Sequence, residues 1–91
     1  MLVRATVIHN DVGLHARPAT YFIQKANEFK SSISLEVGER RVNAKSLLGV
    51  LSLGVMSGTE LTIIADGPDE EVAAETLIRL IDNNLAENSE E

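Results

Sequence analysis

Apolar and polar positions in the first third of the chain predict a strand followed by an amphipathic helix. Residues 2–8 are rich in Val, Ile and Thr and run into the loop-forming sequence Asn10-Asp11-Val12-Gly13, which indicates a strand. Between residues 16 and 29, apolar residues recur at spacings of three and four, as on the buried face of a helix. Pro18 falls in the first turn of this helix, where its missing N–H costs nothing. The apolar stripe consists of Ala19, Phe22, Ile23, Ala26 and Phe29.

A β-hairpin is predicted between residues 32 and 43. Its first strand alternates polar with apolar residues, so one face is buried and the other is exposed to water. Gly38-Glu39 supplies a two-residue turn with glycine first, and residues 40–43 return as a short second strand. The alternating residues are Ser32, Ile33, Ser34, Leu35, Glu36 and Val37.

The sequence beyond the hairpin predicts a short helix and a fourth strand. Ser46 is a favoured N-cap residue for the apolar segment 47–54, which ends in glycine. Residues 60–66 have the composition of a strand that buries one side. That side consists of Leu61, Ile63 and Ala65.

A third helix is predicted after the break Gly67-Pro68-Asp69. Asp69 can N-cap this helix, and Glu70 and Glu71 suit its positive N-terminal end. Residues 86–91 form an acidic tail that we expect to fray. The buried face of the helix is predicted from Ala73, Leu77, Leu80, Ile81 and Leu85.

The order of these elements indicates an α+β fold. Strand, helix, strand, strand, helix, strand, helix (βαββαβα) builds a four-stranded antiparallel sheet with three helices on one face. A chain of 91 residues is long enough for one hydrophobic core and too short for two, so residues 1–91 are predicted to form a single domain.

The composition limits the chemistry that this chain can perform. It contains no cysteine, which excludes disulfides, thiolate metal sites and cysteine nucleophiles. His9 and His15 have no third ligand at convincing spacing, so we expect no metal and no cofactor. No segment approaches the roughly 18 consecutive apolar residues of a membrane span, and no export signal precedes the first strand. We therefore expect a cytoplasmic protein without membrane insertion.

The charge is unevenly distributed along the chain. The net charge is −6, with much of the acid after residue 66, so binding to nucleic acid or to an anionic membrane is disfavoured. The basic residues of the first half either form solvated faces or orient acidic protein partners toward His15. Among them are Arg17, Lys25, Lys30, Arg40, Arg41 and Lys45.

His15 directly precedes the first predicted helix. The backbone N–H groups of Ala16 and Arg17 lack partners within the helix, so they and the helix dipole can hold an anion. The Arg17 guanidinium can bind phosphate oxygens in bidentate fashion. The positive field favours a neutral, nucleophilic imidazole, and an attached phosphoryl dianion favours a protonated ring that leaves readily. Taken alone, the same residues have a structural interpretation, in which His15 is a helix cap, Arg17 a solvated charge and Pro18 a helix starter.

The run Gly13-Leu14-His15-Ala16-Arg17-Pro18-Ala19 and residues 42–54 resemble two motifs of the HPr family, the histidine-containing phosphocarriers of the bacterial phosphoenolpyruvate-dependent sugar phosphotransferase system. The first is similar to the active-site motif. The second resembles the signature around the regulatory serine, here Ser46. Length and element order agree as far as about Leu85. The resemblance implies an open-faced β-sandwich.

The resemblance also implies partners. Enzyme I would phosphorylate His15 on Nδ1, Arg17 would hold the phosphoryl group, and IIA domains of sugar permeases would receive it. HPr kinase/phosphorylase would phosphorylate Ser46, and that form would bind the catabolite control repressor. The protein would then be a carrier and kinase substrate without turnover of its own.

Docking is expected on an apolar patch beside Ser46. We expect the leucines to be partly exposed, foremost Leu47 and Leu51, although Ser46 as a plain cap above core leucines is the alternative. Many Gram-positive members have methionine at two of these positions, which leaves apolar docking intact. The predicted docking residues are Leu47, Leu48, Leu51, Thr20 and Gln24.

Two other functions remain open. The stretch Asn43-Ala44-Lys45-Ser46 and the helix around Ala26-Asn27 also resemble the regulatory paralogue Crh, which lacks the active histidine, whereas His15 is present here. A Crh-like or nitrogen-branch regulator that binds a transcription factor or another partner is therefore one alternative. A small α+β interaction domain with neither chemistry is the other.

Overall fold

The computed structural model describes residues 1–8, 16–56 and 58–82, with residues 16–18 described by their backbone. All seven predicted elements are present in the predicted order. They are β1 (Leu2–Val7), α1 (Ala16–Ala26), β2 (Ser32–Val37), β3 (Arg40–Asn43), α2 (Leu47–Ser52), β4 (Glu60–Asp66) and α3 (Glu70–Asp82).

The four strands form one antiparallel sheet in the order β1-β4-β2-β3. The last strand in sequence is thus inserted between the first two, where it pairs with both. Ile63 lies opposite Arg4 on one side and Leu35 on the other, so the three residues lie on one face of the sheet, which is buried at β4 and β2 and exposed at Arg4 of β1. Helix α3 contacts β1 and β4, and α1 contacts α2 and α3. The predicted four-stranded antiparallel sheet with three helices is confirmed.

The core lies between the sheet and the helices and is almost entirely aliphatic. Phe22 is its one fully buried aromatic side chain among the described residues. Val37, predicted to be buried, is only half-buried near the hairpin turn. The predicted faces of the two central strands are otherwise confirmed, with Ile33, Leu35, Leu61, Ile63 and Ala65 all buried.

None of the described helices covers the opposite face of the sheet. Val3 and Val7 of β1 remain exposed there, as one face of an antiparallel sheet can. Ile64 points to the same face but is only 7% exposed, because it lies between Val3 and Ser34 in the register. This face makes the sandwich open.

The hairpin turn follows its prediction. Val37 pairs with Arg40, so Gly38 and Glu39 alone connect β2 to β3. Gly38 has φ of 59°, the positive value that primed hairpin turns require at their first central residue.

Helix α1 is shorter than its apolar stripe predicts. It ends at Ala26, and Asn27 N makes the last bond to a carbonyl four residues back. The N–H groups of Glu28 and Phe29 bond three residues back, to Lys25 and Ala26. The Phe29 side chain still packs against the core from this turn. The apolar period therefore continues for one turn after the α-helix has ended.

Helix α3 differs from its prediction in how it begins. Asp69 has the N-cap position, since its carbonyl accepts from Ala73 N at 2.9 Å. Its carboxylate, however, reaches across to the start of β2, where it accepts from the backbone N–H groups of Lys30 and Ser31. Ala73, Leu77, Leu80 and Ile81 are buried as predicted. Leu85 and the predicted acidic tail, 86–91, lie outside the described residues.

Candidate functional site

The residue predicted to carry the chemistry, His15, lies outside the described residues, as does His9. The described chain resumes at Ala16, the first residue of α1. His15 is thus bonded directly to a helix N-terminus whose first backbone N–H groups have no acceptor within the helix. Arg17 belongs to the first turn of that helix, and its side chain also lies outside the described part.

Helix α1 is held firmly against the core. Ala19, Phe22 and Ala26 are fully buried, and Ile23 is nearly so. These contacts set the direction in which the helix N-terminus points. Thr20 and Gln24, predicted to dock partners, are both exposed and lie one helical turn apart on the outer side of α1.

The second predicted site, Ser46, is the N-cap of α2, as expected. Its φ and ψ are −110° and 121°, and its Oγ accepts from Gly49 N at 3.1 Å. Its carbonyl accepts the first helical bond, from Val50 N at 3.0 Å. Val50 is fully buried and anchors this short helix in the core.

The leucines after Ser46 form an apolar surface. Leu48 is 81% exposed and Leu47 42%, whereas Leu51 is half-buried against the core. The expected partial exposure is confirmed, and Leu48 is more exposed than the two leucines expected to be foremost. Met56, 68% exposed, is a further exposed apolar residue in the loop after α2. Docking at these residues stays a prediction.

Side-chain contacts that the sequence did not indicate hold α2 in place. Arg40 donates from Nη1 to Ser52 O at 2.6 Å and ties β3 to the end of α2. Lys45 Nζ donates to Phe29 O at 2.7 Å, and Asn27 Nδ2 reaches Lys45 O at 3.4 Å. No local pattern predicts these bonds, because each joins residues that are at least twelve positions apart.

These contacts place Ser46 near the C-terminal end of α1, whereas His15 directly precedes the N-terminal end in the sequence. Asn27 and Phe29, just past the helix C-terminus, contact Lys45, the neighbour of Ser46. His15 adjoins the N-terminus, and eleven residues at a rise of about 1.5 Å give a helix roughly 16 Å long. A partner of ordinary interface size can therefore cover both ends of α1 together with α2.

The described ranges 1–8, 16–56 and 58–82 contain neither a candidate metal cluster nor a candidate membrane-spanning helix. No cluster of three or more His, Cys, Asp or Glu residues there could hold a metal ion. None of the described helices is both long enough and apolar enough to cross a membrane.

Comparison with known proteins decides the family. A family model described as "PTS HPr component phosphorylation site" matches residues 3–83. This chain belongs to the HPr family. Members of the HPr family are phosphocarriers of the phosphotransferase system and act there with partner proteins.

Individual relatives agree over nearly the whole length of the chain. The HPr-like protein Crh of Bacillus subtilis is 42% identical over 85 residues, which is 93% of this chain and 100% of that protein. The phosphocarrier protein HPr of Treponema pallidum is 40% identical over 87 residues, or 96% and 99%. The crystal structure of HPr-C-His from Thermoanaerobacter tengcongensis has a TM-score of 0.92 at 43% identity, covering 98% of this chain and 100% of that chain. HPr relatives thus include both a carrier and an HPr-like protein.

Proposed function

We propose that this chain accepts a phosphoryl group on His15 from enzyme I and donates it to IIA domains of sugar permeases. The observation that carries the proposal is the position of the motif, whose residues 13–15 lead directly into the N-terminus of α1 at Ala16. The helix end supplies backbone N–H groups and a positive dipole where the phosphoryl group would lie.

The transfer needs no catalytic group beyond the two proteins. As the Nδ1–P bond to His15 forms, the bond between phosphorus and the donor protein breaks, and the phosphoryl group passes in line between them. Arg17 and the N–H groups of Ala16 and Arg17 would stabilise its oxygens in both directions. The protein acts as a carrier without independent turnover and without a cofactor, in the cytoplasm where its partners meet it, as a single HPr-like domain over residues 1–91.

Ser46 would add regulation by an ATP-dependent HPr kinase/phosphorylase. A phosphate on the N-cap residue lies beside free N–H groups and the positive end of α2, so it need not unfold the helix. It would place a dianion next to exposed Leu47 and Leu48. The catabolite control repressor would dock on this combination of charge and apolar surface.

A Crh-like regulator is the second candidate, and a nitrogen-branch regulator would act by the same surface. The 42% identity to the Crh protein of Bacillus subtilis favours it, together with the exposed leucines of α2. In that case Ser46 would carry the function and His15 would not be phosphorylated.

Incubation with enzyme I and phosphoenolpyruvate tests the first function. Mass spectrometry should show an acid-labile gain of one phosphoryl group in the wild type and in His9→Ala, and none in His15→Ala. His9→Ala is the matched control because it removes the other histidine. Lack of labelling in the wild type, or persistence in His15→Ala, would contradict the carrier function.

Incubation with ATP and HPr kinase tests the regulatory function separately. An acid-stable phosphoserine should form in the wild type and in Ser32→Ala, whose serine is exposed on β2, but not in Ser46→Ala. Labelling of Ser46 without any labelling of His15 would favour the Crh-like regulator. Failure of both incubations would leave the plain interaction domain.

A further inference from the structure

A cavity of about 440 Å³ lies where the start of β2 meets the end of β3, and the described residues that line it belong to neither α1 nor α2. Its size lies within the range of small-molecule sites. Its polar lining consists of hydrogen-bond donors and includes no carboxylate. The polar side chains are those of Lys30, Ser31, Ser32, Ser34, Arg41, Asn43 and Lys45, of which the Ser31 hydroxyl already donates to Asp69.

The cations of this cavity have no acidic partner. Lys30, Arg41 and Lys45 are three of the eight Lys and Arg residues in a chain of net charge −6. Within the described residues, none of the three has a carboxylate oxygen within 4 Å of its charged nitrogens. Glu36 lies opposite Arg41 in the register without forming an ion pair. Their charge is thus available to a ligand.

The uncharged donors are available as well. Within the described parts of the chain, the hydroxyls of Ser32 and Ser34 form no internal hydrogen bond, and Asn43 uses its Oδ1 on Lys45 N at 2.9 Å but leaves its amide N–H groups free. Ser34 and Asn43 lie directly opposite each other in the register, on the face of the sheet that none of the described helices covers. They therefore point to the same side.

The backbone around the cavity is held in place. Lys30 N donates to Asp69 Oδ2 at 2.9 Å, which fixes the start of β2. Lys45 Nζ donates one N–H to Phe29 O at 2.7 Å and retains two. Two of the three cations therefore extend from anchored positions, which lowers the entropic cost of binding.

We infer that this cavity binds a small phosphate monoester. The three cations can neutralise the charge of one phosphate dianion, and together with the three neutral donors they can supply hydrogen bonds to its oxygens. Arg41 can bind two of those oxygens in bidentate fashion. The cavity of about 440 Å³ is several times larger than one phosphate group and leaves room for the carbon body of the ester. The acidic net charge and the few aromatic residues do not suit a nucleic acid.

Titration of the ¹⁵N-labelled full chain with glycerol 3-phosphate, followed by ¹H–¹⁵N NMR, tests this inference. We expect saturable shifts at the amides of Ser32, Ser34 and Asn43. Inorganic phosphate should shift the same amides with lower affinity, and sodium chloride at equal ionic strength should not reproduce them. If inorganic phosphate binds as tightly as the ester, the inference of an ester is wrong. Shifts that do not saturate, that match sodium chloride, or that are confined to residues 16 and 17 overturn the site itself.

Three variants that each remove one positive charge distinguish specific binding from a general charge effect. Arg41→Gln and Lys30→Gln should each weaken the affinity about tenfold, as expected for loss of a charge-assisted hydrogen bond. Arg79→Gln removes an exposed arginine of α3 and should leave the affinity unchanged within about twofold. An equal loss in all three variants would show a general charge effect and overturn the inference. Because Arg41 and Lys30 are exposed, the unliganded spectra should show that both variants fold.

Discussion

The carboxylate of Asp69 accepts a hydrogen bond of 2.5 Å from the hydroxyl of Ser31, which is only 1% exposed. The same carboxylate accepts from Lys30 N and Ser31 N, and the Ser31 hydroxyl in turn accepts from Asp69 N at 3.2 Å. This reciprocal set joins the start of α3 to the start of β2, which lie 38 residues apart in the chain. It is the described contact on which acid stability should depend most.

Acid should therefore weaken the fold through Asp69. The hydrogen bonds from Ser31, Lys30 N and Ser31 N lower the pKa of Asp69 from 3.8 to about 2. Because the unfolded chain takes up this proton more readily, the stabilisation is complete above about pH 4 and is lost as the pH falls toward 2. Glu70 also contributes stability that is lost on acidification, because the hydrogen bond from Gly67 N–H lowers its pKa.

Urea unfolding of the wild type between pH 2 and pH 7 measures this effect. Asp69→Asn should be less stable than the wild type at pH 7 and should lose less stability on acidification. Asp66→Asn is the matched control, because Asp66 is a largely exposed aspartate three residues away. If Asp69→Asn keeps the full pH dependence of the wild type, Asp69 is not the group responsible.

A side chain at position 67 should damage the same junction. A Cβ on Gly67 would lie 2.6 Å from Ser31 Oγ and 2.7 Å from Ser31 Cα, so Gly67→Ala must displace backbone as well as side chain. We expect a loss of roughly 1–3 kcal/mol in the free energy of unfolding.

Gly38→Ala measures the cost of backbone strain without a steric clash such as the one between Gly67→Ala and Ser31. Gly38 has φ of 59° with no atom near its Cβ position, so alanine there should cost only about 1 kcal/mol. Chemical denaturation of both variants measures the difference. Equal losses would show that close approach to Ser31 is not what selects glycine at position 67.

The Ser46 cap should contribute to stability independently of phosphorylation. Ser46→Ala removes the acceptor of Gly49 N and should cost about 1 kcal/mol, whereas Ser46→Asp retains an acceptor and should stay near the stability of the wild type. Thermal unfolding of the unphosphorylated proteins measures both. A loss in Ser46→Asp as large as that in Ser46→Ala would mean that the side-chain hydrogen bond is not the source.

Substitutions at two residues of α2 should distinguish a side chain that binds a partner from one that stabilises the fold. Leu48 is 81% exposed, so Leu48→Ala should leave the free energy of unfolding within about 0.5 kcal/mol and weaken binding of the Ser46-phosphorylated protein to its repressor. Val50 is fully buried, so Val50→Ala should cost on the order of 2 kcal/mol.

Denaturation together with a binding titration checks this pair. Unchanged binding in Leu48→Ala would place the docking surface elsewhere. A large loss of stability in Leu48→Ala would contradict its position outside the core.

Local patterns in the sequence determined the elements of this protein. The alternation of residues 32–37, the glycine at position 38 and the cap at Ser46 act within a few residues, so their structural consequences could be predicted. The motif around His15 likewise indicated phosphate chemistry beside a helix start, because anion binding there depends on neighbouring backbone groups.

Only the tertiary structure decided which distant residues meet. The insertion of β4 between β1 and β2, the reach of Asp69 to Ser31 and the bond from Arg40 to Ser52 depend on how the layers pack. The end of α1 at Ala26 belongs here too, since Phe29 follows the helical period yet reaches the core from a turn. The donor-lined cavity between β2 and β3 arises in the same way. The pairing of β2 with β3 could be predicted, but the bond from Lys45 to Phe29, which are sixteen residues apart, depends on how the segment after α1 packs against the end of the hairpin.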